Sequence, residues 1–126
     1  MMGIKLDMVG IVVKDMKKAL DFYRVLGFEI PENKNEEPHV EVEQGSVRLA
    51  FDTQNMIKEI YGEWEEPSGH RVELAFLCDD KEALNNLYKK IIEHGYVGHR
   101  EPWDAFWGQR YAIVKDPDGN LISLFV

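Results

Sequence analysis

Short β-branched runs and helical stripes alternate along the chain. Residues 8–13 (MVGIVV) form a run rich in β-branched side chains and followed by polar residues, the pattern of a buried strand. After Asp15, a good N-cap, Met16, Ala19, Leu20, Tyr23 and Leu26 recur at helical spacing, and Gly27 supplies a stop. Residues 28–30 predict a short strand ended by Pro31, and residues 31–38 (PENKNEEP) a charged loop. Residues 39–43 and 47–51 predict two strands joined by the tight turn at 44–46. His39, Glu41 and Glu43 alternate with Val40 and Val42, so the first of these strands is amphipathic with a wet polar side. A short helix is expected around residues 56–61, and residues 62–69 (GEWEEPSG) form a linker.

The pattern then begins again. Residues 72–78 predict a strand, and Asp79 with Glu82 three positions on resembles a capping arrangement. Ala83, Leu84, Leu87, Tyr88, Ile91 and Ile92 mark an amphipathic helix that stops at His94-Gly95. Residues 96–99, 110–115 and 121–126 predict three strands, the last two joined by Asp116-Pro-Asp-Gly-Asn120, in which Gly119 suits a positive φ. VGIVVKDMKKAL aligns with LAFLCDDKEAL, and this internal duplication of about 60 residues is the main large-scale feature. A single unit of this kind leaves one sheet face uncovered. The expectation is therefore a single α+β domain, 1–126, with one module at about 1–62 and a second at about 70–126. Its two βαβββ modules would build a curved mixed sheet with helices on the convex side and a ligand cavity on the concave face.

Charge narrows the partners. Lys plus Arg number 15 and Asp plus Glu 23, a formal charge of −8, which argues against nucleic acid or an anionic membrane and is compatible with a cationic ligand. The lone Cys78, among apolar strand neighbours, excludes an internal disulfide framework and a cysteine zinc site, and fits a reducing cytoplasm. No apolar run is long enough for a signal h-region or a membrane span. The chain also lacks GxSxG, P-loop, HExxH and GxGxxG patterns. His94 reads as a helix-end residue, where a cation favours the dipole.

The paired modules, the opening VGIVVKDMKKALDFYRVLGF, the second opening VELAFLCDD and the ending WGQRYAIVKDPDGNLISLF resemble the vicinal oxygen chelate superfamily. That superfamily includes glyoxalase I, extradiol dioxygenases, and fosfomycin- and bleomycin-resistance proteins. The resemblance implies the fold, and for the enzymes it implies a divalent metal held by His, Gln or Glu. The ligand positions fall here on Met8, on Leu49 or Ala50, on Glu73 and on Ser123. Glu73 alone is a strong ligand, so the resemblance implies no metal and no cofactor. WGQR before DPDGN is closer to the bleomycin-resistance type, which binds a drug and releases it unchanged, linking the chain to antibiotic resistance. Relatives of this type pair as homodimers, and the open strand edges need cover.

Seven residues become candidates for binding. Trp103, Phe106 and Trp107, read as a loop, would form an aromatic wall for a planar or cationic ligand. Glu73 would be its polar anchor, with a buried pair to Arg110 or Arg48 as the structural alternative. Strand alternation sends Tyr111 and Ser123 to the cavity if Ala112, Val114, Ile122 and Leu124 lie under a helix. Met8 reads as a core residue that also contributes to the lining. Two other functions stay open: a metal-dependent lyase, dioxygenase or thiol transferase with atypical ligands, and an interaction protein whose cavity is filled.

Overall fold

The structure is a computed structural model that describes residues 3–126. Two compact units divide the chain, Met1–Arg24 with Phe28–Glu66, and Val25–Gly27 with Pro67–Val126. In the first, β1 (Met8–Val13) leads through α1 (Met16–Leu26) and a short 3-10 turn to β2 (His39–Gln44), β3 (Val47–Thr53) and α2 (Gln54–Tyr61). The sheet order is β1-β3-β2, with β1 parallel and β2 antiparallel to β3. A parallel pair needs a crossover, and α1 supplies it. Tyr23 of α1 packs its ring 4.9 Å from that of Phe51 on β3, so the face bearing Ile11, Val40, Leu49 and Phe51 is buried under this helix.

In the second unit β4 (Leu74–Leu77), α3 (Lys81–Glu93), β5 (Gly98–Asp104), β6 (Arg110–Lys115) and β7 (Leu121–Phe125) follow the βαβββ order. Here the sheet order is β4-β7-β6-β5. Ala112 stands opposite Leu124 and Val114 opposite Ile122, all four fully buried, on the face that α3 covers with Leu84 and Ile91. Tyr111 pairs with Phe125 and Ile113 with Ser123 on the other face, as strand alternation requires. The expected α+β fold of two strand–helix–strand repeats is present.

Both crossover helices end alike. Gly27 and Gly95 take φ of 121° and 90°, values that only glycine adopts freely. The backbone N–H of Phe28 then reaches the Tyr23 carbonyl, and that of Tyr96 the Ile91 carbonyl, closing the same C-terminal motif twice. His94 Nδ1 donates to the Lys90 carbonyl at 2.8 Å, a capping role.

Local expectations need five corrections. Residues 28–30 form no strand, because Arg24 donates to the carbonyls of Ile30 and Pro31, which a neighbouring strand would otherwise pair. The cap of α3 is Asp80, which accepts from Ala83 N at 2.7 Å, not Asp79. β4 is shorter than expected, and Glu73 precedes it. β5 starts later and runs farther than residues 96–99, and so takes Trp103 out of the loop and onto a strand. Met8 is 40% exposed and so is not core.

The turn between β6 and β7 is held by buried Asp116. Its Oδ1 accepts from the backbone N–H of Asp118 and of Asn120, each at 2.9 Å, and its Oδ2 from the Asn120 side chain at 2.8 Å. Gly119 has the expected positive φ. Replacing Asp116 by Ala leaves those donors without their acceptor and should cost about 2 kcal/mol in urea unfolding. Asn, which keeps one acceptor oxygen, should cost about half as much. Equal stability of wild type and Asp116→Ala would show that this turn does not set the hairpin.

Candidate functional site

The face of the second unit's sheet opposite α3 carries most of the candidate residues. Tyr111 and Phe125 are cross-strand neighbours with rings 6.2 Å apart and nearly parallel, and Trp103 lies opposite Tyr111 on β5. The β5–β6 connection brings Trp107 against both. Its ring centroid is 6.3 Å from Trp103 and 5.5 Å from Tyr111, at interplanar angles of 90° and 77°. The Trp103 and Tyr111 rings are 5.5 Å apart at 63°, so the three aromatic planes are steeply inclined to one another. Such edge-to-face contacts fix ring orientation and leave ring faces available for stacking. Trp107 Nε1 donates to Gln109 Oε1 at 2.7 Å, which holds the indole in place. Phe106 meets Trp107 edge-on at 5.0 Å but is 97% exposed, at the rim of the wall.

Glu73 finds a partner other than the expected arginines. Ser123, wholly buried, donates its hydroxyl to Glu73 Oε2 at 2.5 Å. Arg110 turns instead to Asn85 and Asp104, and Arg48 to Asp7 and Glu41. Glu73 itself is exposed, so its carboxylate carries no large desolvation cost and keeps Oε1 for another donor. The structure thus joins Trp103, Phe106, Trp107 and Tyr111 in one cluster and Glu73 with Ser123 in a pair on the same sheet. Met8 belongs to the first unit, on β1 opposite Arg48.

The face of the first unit's sheet opposite α1 has a different character. His39 and Asp52 are register partners, and His39 Nδ1 lies 2.5 Å from Asp52 Oδ1 while Nε2 lies 2.7 Å from Glu41 Oε2. Arg48 donates to Glu41 Oε1 and to Asp7 Oδ2, each at 2.6 Å. The polar side of this strand is therefore a bonded chain rather than a merely wet face. Asp52, 6% exposed, was not among the expected functional positions. Its signal was present: folding the 39–44 and 47–53 alternations about the Gly45 turn places His39 opposite Asp52. Carboxylates at both ring nitrogens favour the doubly donating imidazolium form of His39. The Glu41 bond, then the Asp52 bond, raises the His39 pKa above its ordinary value. His39, followed by Arg48, lowers that of Glu41.

The metal positions implied by the family resemblance do not suit a hard catalytic cation. They hold a thioether at Met8, apolar groups at Leu49 and Ala50, a hydroxyl at Ser123, and in Glu73 a carboxylate already bonded by that hydroxyl. Among the described residues no group of three or more His, Cys, Asp or Glu is placed to hold a metal ion. Burial pushes the Cys78 thiol up, away from the reactive thiolate. Among the described residues no helix is long and apolar enough to cross a membrane.

The family model described as Glyoxalase/Bleomycin resistance protein/Dioxygenase superfamily matches residues 5–124. The uncharacterized protein YraH of Bacillus subtilis (strain 168) is 29% identical over 125 residues, 97% of this chain and 98% of its own. A glyoxalase/bleomycin resistance protein/dioxygenase family enzyme from Burkholderia phytofirmans PsJN superposes with a TM-score of 0.84 at 24% identity, covering 97% of this chain and 98% of the other. Lactoylglutathione lyase from Agrobacterium tumefaciens gives 0.70 at 17% identity, over 96% and 92% of the two chains. At these identities the two structures establish a shared fold.

The His39 chain has a pH signature. Since the folded pKa of His39 is raised, its contribution to stability is complete below about pH 6.5 and is lost as the pH rises through the folded value. The lowered Glu41 value contributes above about pH 4.5 and is lost as the pH falls through it. Urea unfolding of wild type should therefore weaken on both sides of a mildly acidic optimum. His39→Gln should remove the alkaline arm, and an unchanged arm in that variant would refute the imidazolium assignment.

Proposed function

Since the chain belongs to the Glyoxalase/Bleomycin resistance protein/Dioxygenase superfamily, we propose that it is a small-molecule-binding protein of the bleomycin-resistance kind. It sequesters a flat aromatic, cationic ligand and releases it unchanged, acting in the cytoplasm and contributing to antibiotic resistance. The observation that carries this reading is the cluster of Trp103, Trp107 and Tyr111, three mutually inclined rings on the sheet face opposite α3. Glu73, with one carboxylate oxygen uncommitted, is the anchor for a ligand ammonium, Ser123 orients it, and Phe106 closes the rim.

The magnitudes suffice for useful affinity. A desolvated cation over an indole ring is worth up to about 2 kcal/mol. A charge-assisted hydrogen bond to Glu73 adds about 1.5–3 kcal/mol. Together with ring burial these terms support binding near micromolar, about −8 kcal/mol, with no chemistry on the ligand. The acidic balance of the chain, −8 overall, favours approach of a cation.

The active form is proposed to be a homodimer. β4 is an edge strand whose Leu77 is 71% exposed, with Val72 just before it 74% exposed, an apolar edge that a second copy would cover.

Calorimetry with a bleomycin-type cationic drug tests the site. Wild type should bind near micromolar, and Trp107→Ala and Glu73→Gln should each weaken binding by about tenfold, or 1.4 kcal/mol. Equal binding by all three proteins would remove these residues from the site. Stoichiometric metal in protein purified without chelator, with an activity that chelation abolishes, would replace sequestration by metal-dependent catalysis. Sedimentation at micromolar concentration should show a dimer, and a monomer there would refute the assembly.

A further inference from the structure

Arg100 plays no part in the reading above, yet it stands within the same aromatic cluster. Its guanidinium carbon lies 3.6 Å from the centroid of the Trp103 ring, a stacking distance. The backbone explains how it gets there. On β5, Arg100 is paired with Ile113 and Trp103 with Tyr111, so three steps along β5 match two along β6. The extra residue makes a bulge, which re-aims side chains and places Arg100 and Trp103 on the same face, that of Ile113 and Tyr111.

The charge environment of Arg100 differs from that of the arginines that bond carboxylates in this acidic chain. Arg24, Arg48 and Arg110 each bond to a carboxylate. Among the described residues the Arg100 guanidinium, like that of Arg71, pairs with no carboxylate, but Arg100 alone of the two lies over an aromatic ring, that of Trp103. A stacked guanidinium keeps its N–H donors in its own plane, directed away from the ring beneath, and that planar fork matches a carboxylate. Stacking also limits the freedom of the side chain, so less is lost when an anion binds.

Resting on the ligand-binding role proposed for this face, we infer that Arg100 is a further binding residue that takes a carboxylate carried by the aromatic ligand. Glu73 and Arg100 then form opposite poles on one sheet. Glu73 precedes β4 at one edge and Arg100 lies on β5 at the other, with Tyr111 and Phe125 on the strands between. The ligand class is an aromatic compound with a cationic group toward Glu73 and a carboxylate toward Arg100.

Two probes of one ring system separate the poles: 2-naphthoate and 2-naphthylmethylammonium, each titrated by quenching of tryptophan fluorescence. Wild type should bind both. Arg100→Gln should lose about tenfold or more in affinity for 2-naphthoate while its affinity for the ammonium stays the same or tightens, and Arg100→Lys should recover part of the loss. Glu73→Gln should show the reverse preference. Retained ammonium binding by Arg100→Gln reports that the variant is folded and its wall intact. If Arg100→Gln binds 2-naphthoate as wild type does, or wild type binds the ammonium alone, the role of Arg100 is refuted and the ligand site stands. If wild type binds neither probe, the site and the inference fall together.

Discussion

The register of β6 against β7 is the constraint on which the second unit depends. With side chains alternating at a period of two, pairing Tyr111 with Phe125 and Ile113 with Ser123 commits Ala112, Val114, Ile122 and Leu124 to the α3 side. A slip of one residue would drive Tyr111 and Phe125 beneath the helix and turn Ile122 and Leu124 outward, inverting both faces at once. The Asp116 turn guards against that slip, because three donors converge on one buried carboxylate only at this hairpin length. From the turn follows the register, from the register the exposed face, and from that face the aromatic wall.

Two units with the same parallel pairing of first and last strands carry opposite chemistry on the sheet faces opposite their crossover helices. The first face is a chain of charges running from Asp52 through His39, Glu41 and Arg48 to Asp7. The second is aromatic, with one hydroxyl–carboxylate pair. The contrast bears on metal chemistry. A doubly donating imidazolium has no lone pair for a cation, so a metal at His39 would have to displace its proton and break two short hydrogen bonds. Arg48 beside Glu41 opposes a cation at the remaining carboxylate oxygens.

Much of this was legible in the chain. The alternations at 110–115 and 121–126 contain the two faces of the second sheet, and Gly27 and Gly95 mark two helix ends that close by one motif. What escaped were features decided by contacts distant in sequence or by broken periodicity. Residues 28–30 have strand composition, but the Arg24 guanidinium takes the carbonyls a partner strand would use, and the Phe28 N–H is spent on closing α1. Arg100 was hidden by the bulge, because strict alternation from Trp103 places it on the opposite face. Asp52 was overlooked because its partner lies across a hairpin rather than along its own strand.

The same geometry bears on the binding proposed for the second face. Ser123 is its one hydroxyl joined to a carboxylate, an arrangement that superficially suggests a nucleophile and base. A nucleophile must reach a substrate atom, and Ser123 is wholly buried. Its proton already points at Glu73, with no histidine between them to carry it to a leaving group. The Trp107 N–H is likewise committed to Gln109. The groups on this face include ring faces, a carboxylate oxygen, the Tyr111 side chain and the stacked guanidinium of Arg100, a set suited to holding a flat charged molecule. In the proposed reading the serine orients the anchor, and the rings and charges of this face do the recognising.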